Sequence, residues 1–407
     1  MLTMLATPSG PSGPAAPTGP SKPATSATLR EINLRTVFDI IRAQAPISRA
    51  EVARQTGISK PTVSALLQDL LDLGLVNETE RDEQNGPTYG ALFFAPRPEA
   101  AHVLALDVGA RRLRGAVADL EGRQLAREDV DVAGLDAPHI VEAAAALAQR
   151  LREGAKIAPD RIQHAAIGVP GVVDRREGRI WQALNIPALD GFPAHEQFEA
   201  ALGCPVTLEN DIHLAALGEQ RAGRGRDATS FCFLSVGTGV GAGLVLRGEL
   251  HRGFAGAAGE LDNVFGEDEI ERKDPCAEAL LRGVAELFPA GSAPASTEDL
   301  FALAREGNPA ALAAVDEEAR RIAGYLAPVA AVVDVELTVL GGGIGLNADL
   351  LLDRVTERLA ARVPYPPRVE VSALGEAAVL TGAIAVATRE ALEQILAARF
   401  TAGHRRP

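Results

Sequence analysis

Cysteine is nearly absent: three residues in 407, Cys204, Cys232 and Cys276, far apart and odd in number. That excludes a disulfide framework, and no two of them sit at paired-ligand spacing for a metal. A reducing cytoplasm is the expected compartment. Aromatic residues are scarce at 4%, so the cores must be built from Ala, Val, Leu and Ile. The most apolar runs, 231–246 and 324–346, are broken by Gly, Pro or acids and fit buried strands rather than membrane spans. The start has no basic stretch followed by an apolar one, so no secretory signal is expected. An excess of positive charge is also missing. The net charge of −14 argues against nucleic acid binding over the whole surface.

Large apolar side chains are missing from residues 6–27, "ATPSGPSGPAAPTGPSKPATSA". Such a segment cannot bury enough surface to offset its ordering entropy, and a disordered tail over 1–27 is expected. The charge balance then reverses. Between Arg30 and Lys60 six basic residues (Arg30, Arg35, Arg42, Arg49, Arg54, Lys60) face three acids (Glu31, Asp39, Glu51), leaving the remainder of the chain strongly acidic.

Leu34, Val37, Phe38 and Ile41 fall at i, i+3, i+4 and i+7, one helical stripe. Ser48 with Glu51 reads as a capping box opening a short helix. Gly57 makes a turn, Ser59 caps a second helix with Pro61 in its first turn, and Gly74 ends it. Val63, Leu66, Leu67, Leu70 and Leu71 line its apolar face. Two apolar runs around an Asn-Gly turn follow, a β-hairpin with its tip at Asn85 to Tyr89. Helix, turn, helix and hairpin make a winged helix-turn-helix over 28–97. Such a unit lays its second helix in the DNA major groove. Ser59, Lys60, Pro61, Thr62 and Ser64 would face the groove, with Arg49, Arg54 and Lys60 on phosphates. A helical protein-interaction domain is the alternative. The basic balance and the Ser/Thr-rich helix start favour double-stranded DNA.

From about residue 100 strands alternate with Ala-rich helices, an α/β pattern. Strands are expected at 102–107, 113–118, 164–169, 205–208, 230–236, 241–246 and 335–340. Helices are expected at 138–152, 211–221, 276–287, 309–334, 347–362 and 376–397. Two Gly-rich turns about 130 residues apart hint at two related lobes. "GTGVGAG" from Gly237 follows an apolar strand and could form an anion nest, with Thr238 donating a hydroxyl; a tightly packed hairpin is the alternative. Asn210-Asp211 sit where α/β folds place ligands. They suit sugar hydroxyls, or equally a helix cap.

Several ordered motifs carry a resemblance: "AIGVPGVVD" at 166–174, "LENDIHLAALGE" at 208–219, "LSVGTGVGAGLVLRGEL" at 234–250, "GFAGAAGEL" at 253–261 and "LGGGI" at 340–344. The chain resembles the ROK family, and with its winged helix the family's regulator branch. The resemblance implies a two-lobed, actin-like sugar kinase body. One lobe would span 98–210, completed by helix 376–397, and the other 211–375, with a tail at 398–407. It assigns sugar binding to Asn210, Asp211, Glu260, Asn263 and Glu278, with Asp211 in the place of the kinase base. It assigns a vestigial phosphate site to Asp107, Gly109, Gly237, Thr238, Gly239 and Gly342.

Two departures stand out. Asn263 occupies the position of a family histidine, and only Cys276 has a counterpart among three zinc cysteines. A tetrahedral zinc site needs four ligands, so no metal is expected. His195, His213 and His251 read as polar surface or cleft residues. In "LALDVGARRLRGAV" (104–117) Arg111 replaces a small hydroxylic residue that lets phosphate reach the turn, so ATP is not expected as a cofactor. The expected protein is a cytoplasmic homodimer or homotetramer, with no membrane association, that binds a DNA operator under control of a sugar or sugar derivative. A sugar kinase with an accessory DNA-binding domain is the alternative.

Overall fold

Leu34, Val37, Phe38 and Ile41, the stripe expected of a helix, are all buried on one side of α1 (Ser26–Gln44). The structure, a computed structural model, describes residues 26–80, 92–261, 274–285, 287–289 and 291–402. The described residues fall into two compact units: those up to Pro96 together with those from Leu396 on, and Arg97–Ile395.

In the first unit, α1 is followed by strand β1 (Ile47–Ser48), α2 (Arg49–Thr56) and α3 (Lys60–Asp72). The Ser48 hydroxyl accepts from the Glu51 backbone N–H at 3.3 Å, and Gly57 closes α2 at φ 70°. Glu51 does not complete the capping box; its carboxylate takes Arg54 and Gln55 instead. Ser59 caps α3 through the Thr62 N–H. Strands β2 (Val76–Thr79) and β3 (Phe93–Pro96) pair antiparallel, as the hairpin requires, and the sheet order is β1-β3-β2. The wing tip assigned to Asn85–Tyr89 lies outside the described residues. Sequence periodicity does not reveal Asp69, a buried acid on α3 whose two oxygens take Arg30 at 2.6 Å and Arg399 at 2.8 Å.

The second unit holds two five-stranded sheets built to one plan. In the first, β4 (His102–Val108), β5 (Arg112–Asp119) and β6 (Gln124–Asp131) form an antiparallel meander. After the short strands β8 (Val172–Asp174) and β9 (Arg179–Trp181), which pair with each other, the chain returns to this sheet; β7 (Ile162–Val169) and β10 (Val206–Asn210) extend it in parallel. In the second, β11 (Phe231–Val236), β12 (Val240–Leu246) and β13 (Glu249–His251) repeat the meander, and β14 (Leu337–Gly341) and β15 (Arg368–Val371) repeat the parallel extension. The related lobes hinted at by two glycine turns are thus a shared topology. Each has its own core, one around Leu106, Leu147 and Ile167, the other around Leu234, Ile322 and Leu340.

All seven expected strands form, with ends shifted by a few residues, and so do the six helices. Strand β6 escaped notice because charge interrupts its alternation: its residues, "QLAREDVD", are exposed or half-buried throughout. The last helix runs Ala378–Ala402, past residue 397. It packs backbone to backbone on the helix α6 (Asp211–Ala222): a Cβ on Gly382 would stand 1.8 Å from the Leu214 carbonyl oxygen. No helix among the described residues is long and apolar enough to cross a membrane.

Candidate functional site

The shared plan puts two turns in matching places, one between the first two strands of each sheet. In the first lobe Gly109 N–H donates to the Arg112 carbonyl at 2.9 Å; in the second, Gly237 N–H donates to the Gly239 carbonyl at 3.0 Å. Gly237, Thr238 and Gly239 line a cavity of about 500 Å³, together with Gly342 and Gly343. The first turn does not line it. Arg111 and Arg112 are exposed, and Asp107 is buried with its carboxylate 3.1 Å from Arg114 Nη1. Burial nevertheless pushes the Asp107 carboxyl up to about 6, against the pull of Arg114.

The cavity's opposite wall is Asn210 and Asp211, the junction of β10 and α6, with Glu260, Gly171, Gln182 and Asn185. Asn210 is spoken for on both sides of its amide. Its oxygen accepts from the Ile212 and His213 N–H groups, the N-cap expected of it, and its nitrogen donates to the Gly171 carbonyl at 3.0 Å and to Glu260 Oε1 at 3.4 Å. The long contact to Glu260 is the one a ligand hydroxyl can displace. Burial and the neighbouring Asp107 charge push the Asp211 carboxyl up to about 7, and burial raises that of Glu260. Glu260 is set by Gly259, whose φ of +95° and close approach to the Ala242 carbonyl leave no room for a side chain.

One expected ligand residue falls elsewhere. Glu278 opens the helix Ala277–Ala285 with an exposed side chain paired to Arg282 at 2.7 Å, away from the cavity. Asn263 lies outside the described residues. The zinc that the family resemblance implies does not fit the donors present. Cys276, the one cysteine with a counterpart among the family's zinc ligands, lines the cavity, and no cluster of three His, Cys, Asp or Glu suited to a metal occurs among the described residues. Sequence reasoning also missed Glu209, and it took His213 for a polar surface or cleft residue. Both are buried behind the cavity wall, where they bond to each other. The i, i+4 spacing of an acid and a histidine was the signal available.

A separate surface lies on the first unit. Ser59, Lys60, Pro61 and Thr62 are exposed at the start of α3, Arg49 is exposed at the start of α2, and Ser64 is half-buried. Arg49 donates to the Ser64 hydroxyl at 3.2 Å, and the Ser59 and Thr62 hydroxyls lie 2.8 Å apart. Arg54 is held by Glu51, while Lys60 has no acidic partner among the described residues. Short hydroxyls beside two exposed cations suit base edges flanked by phosphates.

A model of the ROK family matches residues 103–390. The chain belongs to the ROK family. A MarR family model matches residues 36–86 of this ROK protein, the helix-turn-helix. Its relatives include the bifunctional enzyme NanE/NanK of Brucella suis, 32% identical over 302 residues, 72% of this chain and 54% of the enzyme. The ROK protein thus spans about half the length of that relative. A putative xylose repressor of Caldicellulosiruptor sp. is 26% identical over 394 residues, 90% of this chain and 98% of the repressor. A solved ROK family transcriptional regulator, described as a homologue of the Escherichia coli Mlc protein, shares the fold over 91% of this chain and 99% of its own, with TM-score 0.77 and 22% identity.

Proposed function

We propose that this ROK protein is a sequence-specific, DNA-binding transcriptional regulator, a repressor of carbohydrate genes whose affinity for its operator is set by a sugar in the cleft. The observation that carries the reading is the pairing, in one chain, of an exposed hydroxyl-and-cation helix start with a polar cavity walled by Asp211 and Glu260. The likeness along nearly the full length of a putative xylose repressor supports it. Among the described lining residues the charged groups are Asp211, Glu260 and Asp274, with no Lys, Arg or His. That lining favours an uncharged sugar over a sugar phosphate or sugar acid. The protein works in the cytoplasm as a homodimer or homotetramer on a two-fold operator. A coupling of about 1–3 kcal/mol between cleft and helix changes operator affinity from several-fold to about a hundredfold. Genomic footprint selection with purified protein, with and without D-xylose, D-glucose or N-acetyl-D-glucosamine, tests it. Salt-sensitive sites whose occupancy one sugar changes are expected; indifference to all genomic DNA sinks the reading.

One observation favours sugar kinase activity as a second reading. A carboxyl raised to about 7 is matched to accepting a hydroxyl proton near neutral pH. Against it stands the first turn, whose Arg111-Arg112 replaces the small residues a phosphate loop uses. A coupled assay of ADP release over the same sugars decides, and turnover lost in Asp211→Asn would establish the kinase.

A further inference from the structure

Behind the cavity wall, His213 is buried in the first turn of α6 with an acceptor at each ring nitrogen. Nδ1 lies 3.1 Å from Glu209 Oε1, and Nε2 lies 2.9 Å from the Ala258 carbonyl oxygen. A carbonyl oxygen has no proton to give. Neither has Glu209, whose other oxygen accepts from Arg175 Nη2 and Arg252 Nε, each at 2.6 Å. A neutral imidazole has one N–H and one lone pair, so one of the two contacts would set lone pair against lone pair in a buried place. Only the imidazolium satisfies both.

The partners of this ring are arranged as a clamp. Glu209 is the last but one residue of β10, immediately before Asn210 and Asp211. Arg252 and Ala258 belong to one loop, itself closed by the Ala258 N–H donating to the Arg252 carbonyl at 3.1 Å. Two residues beyond Ala258 stands Glu260. Glu209 therefore grips this loop twice, directly through Arg252 and indirectly through His213. We propose that His213 is a positioning residue, held as an imidazolium, that fixes the Ala258–Glu260 segment against Asn210 and Asp211 and thereby sets the spacing of the two acids that take the sugar. The proposal rests on the reading of Asp211 and Glu260 as ligand groups.

The surrounding charges agree. Burial opposes the imidazolium, but the hydrogen bond and charge of Glu209 outweigh it and raise the His213 value, with Arg252 pulling the other way. Burial likewise opposes ionised Glu209, yet His213, Arg252 and Arg175 hold it down at about 2. Glu260, from the clamped loop, and Asp211, from the same helix turn, also feel the positive ring. A folded value raised above that of an exposed histidine means the clamp is fully present below the exposed-histidine value and fails as pH climbs through the folded value.

Two measurements on the full chain test this. In protein labelled with 15N-histidine, the resonances lost in His213→Gln identify the ring; both its nitrogens should carry protons at pH 7, and a single-proton tautomer there overturns the proposal. Calorimetry with D-xylose, D-glucose and N-acetyl-D-glucosamine then reads the positioning. For whichever sugar binds, His213→Gln, whose amide cannot donate along both directions, should weaken binding by about tenfold and remove the alkaline fall in affinity expected of the parent protein. Unchanged affinity with an unchanged pH profile overturns the positioning role. If no sugar binds the parent protein, the ligand reading on which the positioning depends fails with it, while the ring-nitrogen spectrum still judges the imidazolium separately.

Discussion

Asn210 Nδ2 and Glu260 Oε1 stand 3.4 Å apart, joining the last strand of one sheet to the loop that follows the meander of the other. A hydroxyl entering between them replaces a long hydrogen bond with two ordinary ones, the local gain that ligand binding in this cleft requires.

Asp211 makes that gain depend on pH. Its folded value of about 7 lies above the ordinary carboxylate value. The native protein therefore holds this proton where the unfolded chain has released it, so Asp211 weakens folding as pH rises from about 4 to about 7 and adds nothing further above. Accepting a hydroxyl favours the ionised form, so sugar affinity should rise through the same upper range. Calorimetric titration of His213→Gln, which lacks the ring's opposite pH dependence, between about pH 5.5 and about pH 8 checks this; a flat profile there removes Asp211 as the acceptor.

Gly259→Ala should weaken both fold and binding. The new Cβ would stand 1.8 Å from the Ala242 oxygen at a φ of +95°, costing about 2–4 kcal/mol and displacing Glu260. Thermal melting and sugar calorimetry read the two effects. A melting curve like the parent's would show that the loop relaxes freely.

On α3, Lys60→Ala should lower affinity for operator and unrelated duplex alike and reduce the salt slope by about 1. Thr62→Val should instead shift preference at one base step by about 1–3 kcal/mol. Fluorescence anisotropy over a salt series separates them. A Lys60→Ala defect confined to the operator would make that side chain a base reader.

Asp69→Ala removes the shared partner of Arg30 and Arg399. Both guanidinium groups are partly solvated, so they return to water, and the expected loss is about 1–2 kcal/mol. Chemical denaturation should show a lower midpoint with DNA specificity retained. A loss of specificity with an unmoved midpoint would instead place Asp69 in recognition.

Much of this is legible in the sequence alone. Leu34 to Ile41 and Val63 to Leu70 declare their helices because burial imposes a 3.6-residue period, and Ser59 and Asn210 cap where short polar side chains precede helices. Tertiary partners leave no such trace. Asp69 looks like any surface acid of α3, and His213 reads as a cleft residue until Ala258, 45 positions later, arrives at its ring. Glu278 errs the other way: motif order places it in the cleft, while the fold leaves it exposed beside Arg282.

Each sheet of the larger unit closes over its own core. The two glycine turns are therefore separate parts that happen to share a design. Each is closed by its own hydrogen bond, Gly109 to Arg112 in one and Gly237 to Gly239 in the other, and only the second lines the cavity. A chain built this way can change the sequence of one turn and leave the backbone of its counterpart as it was.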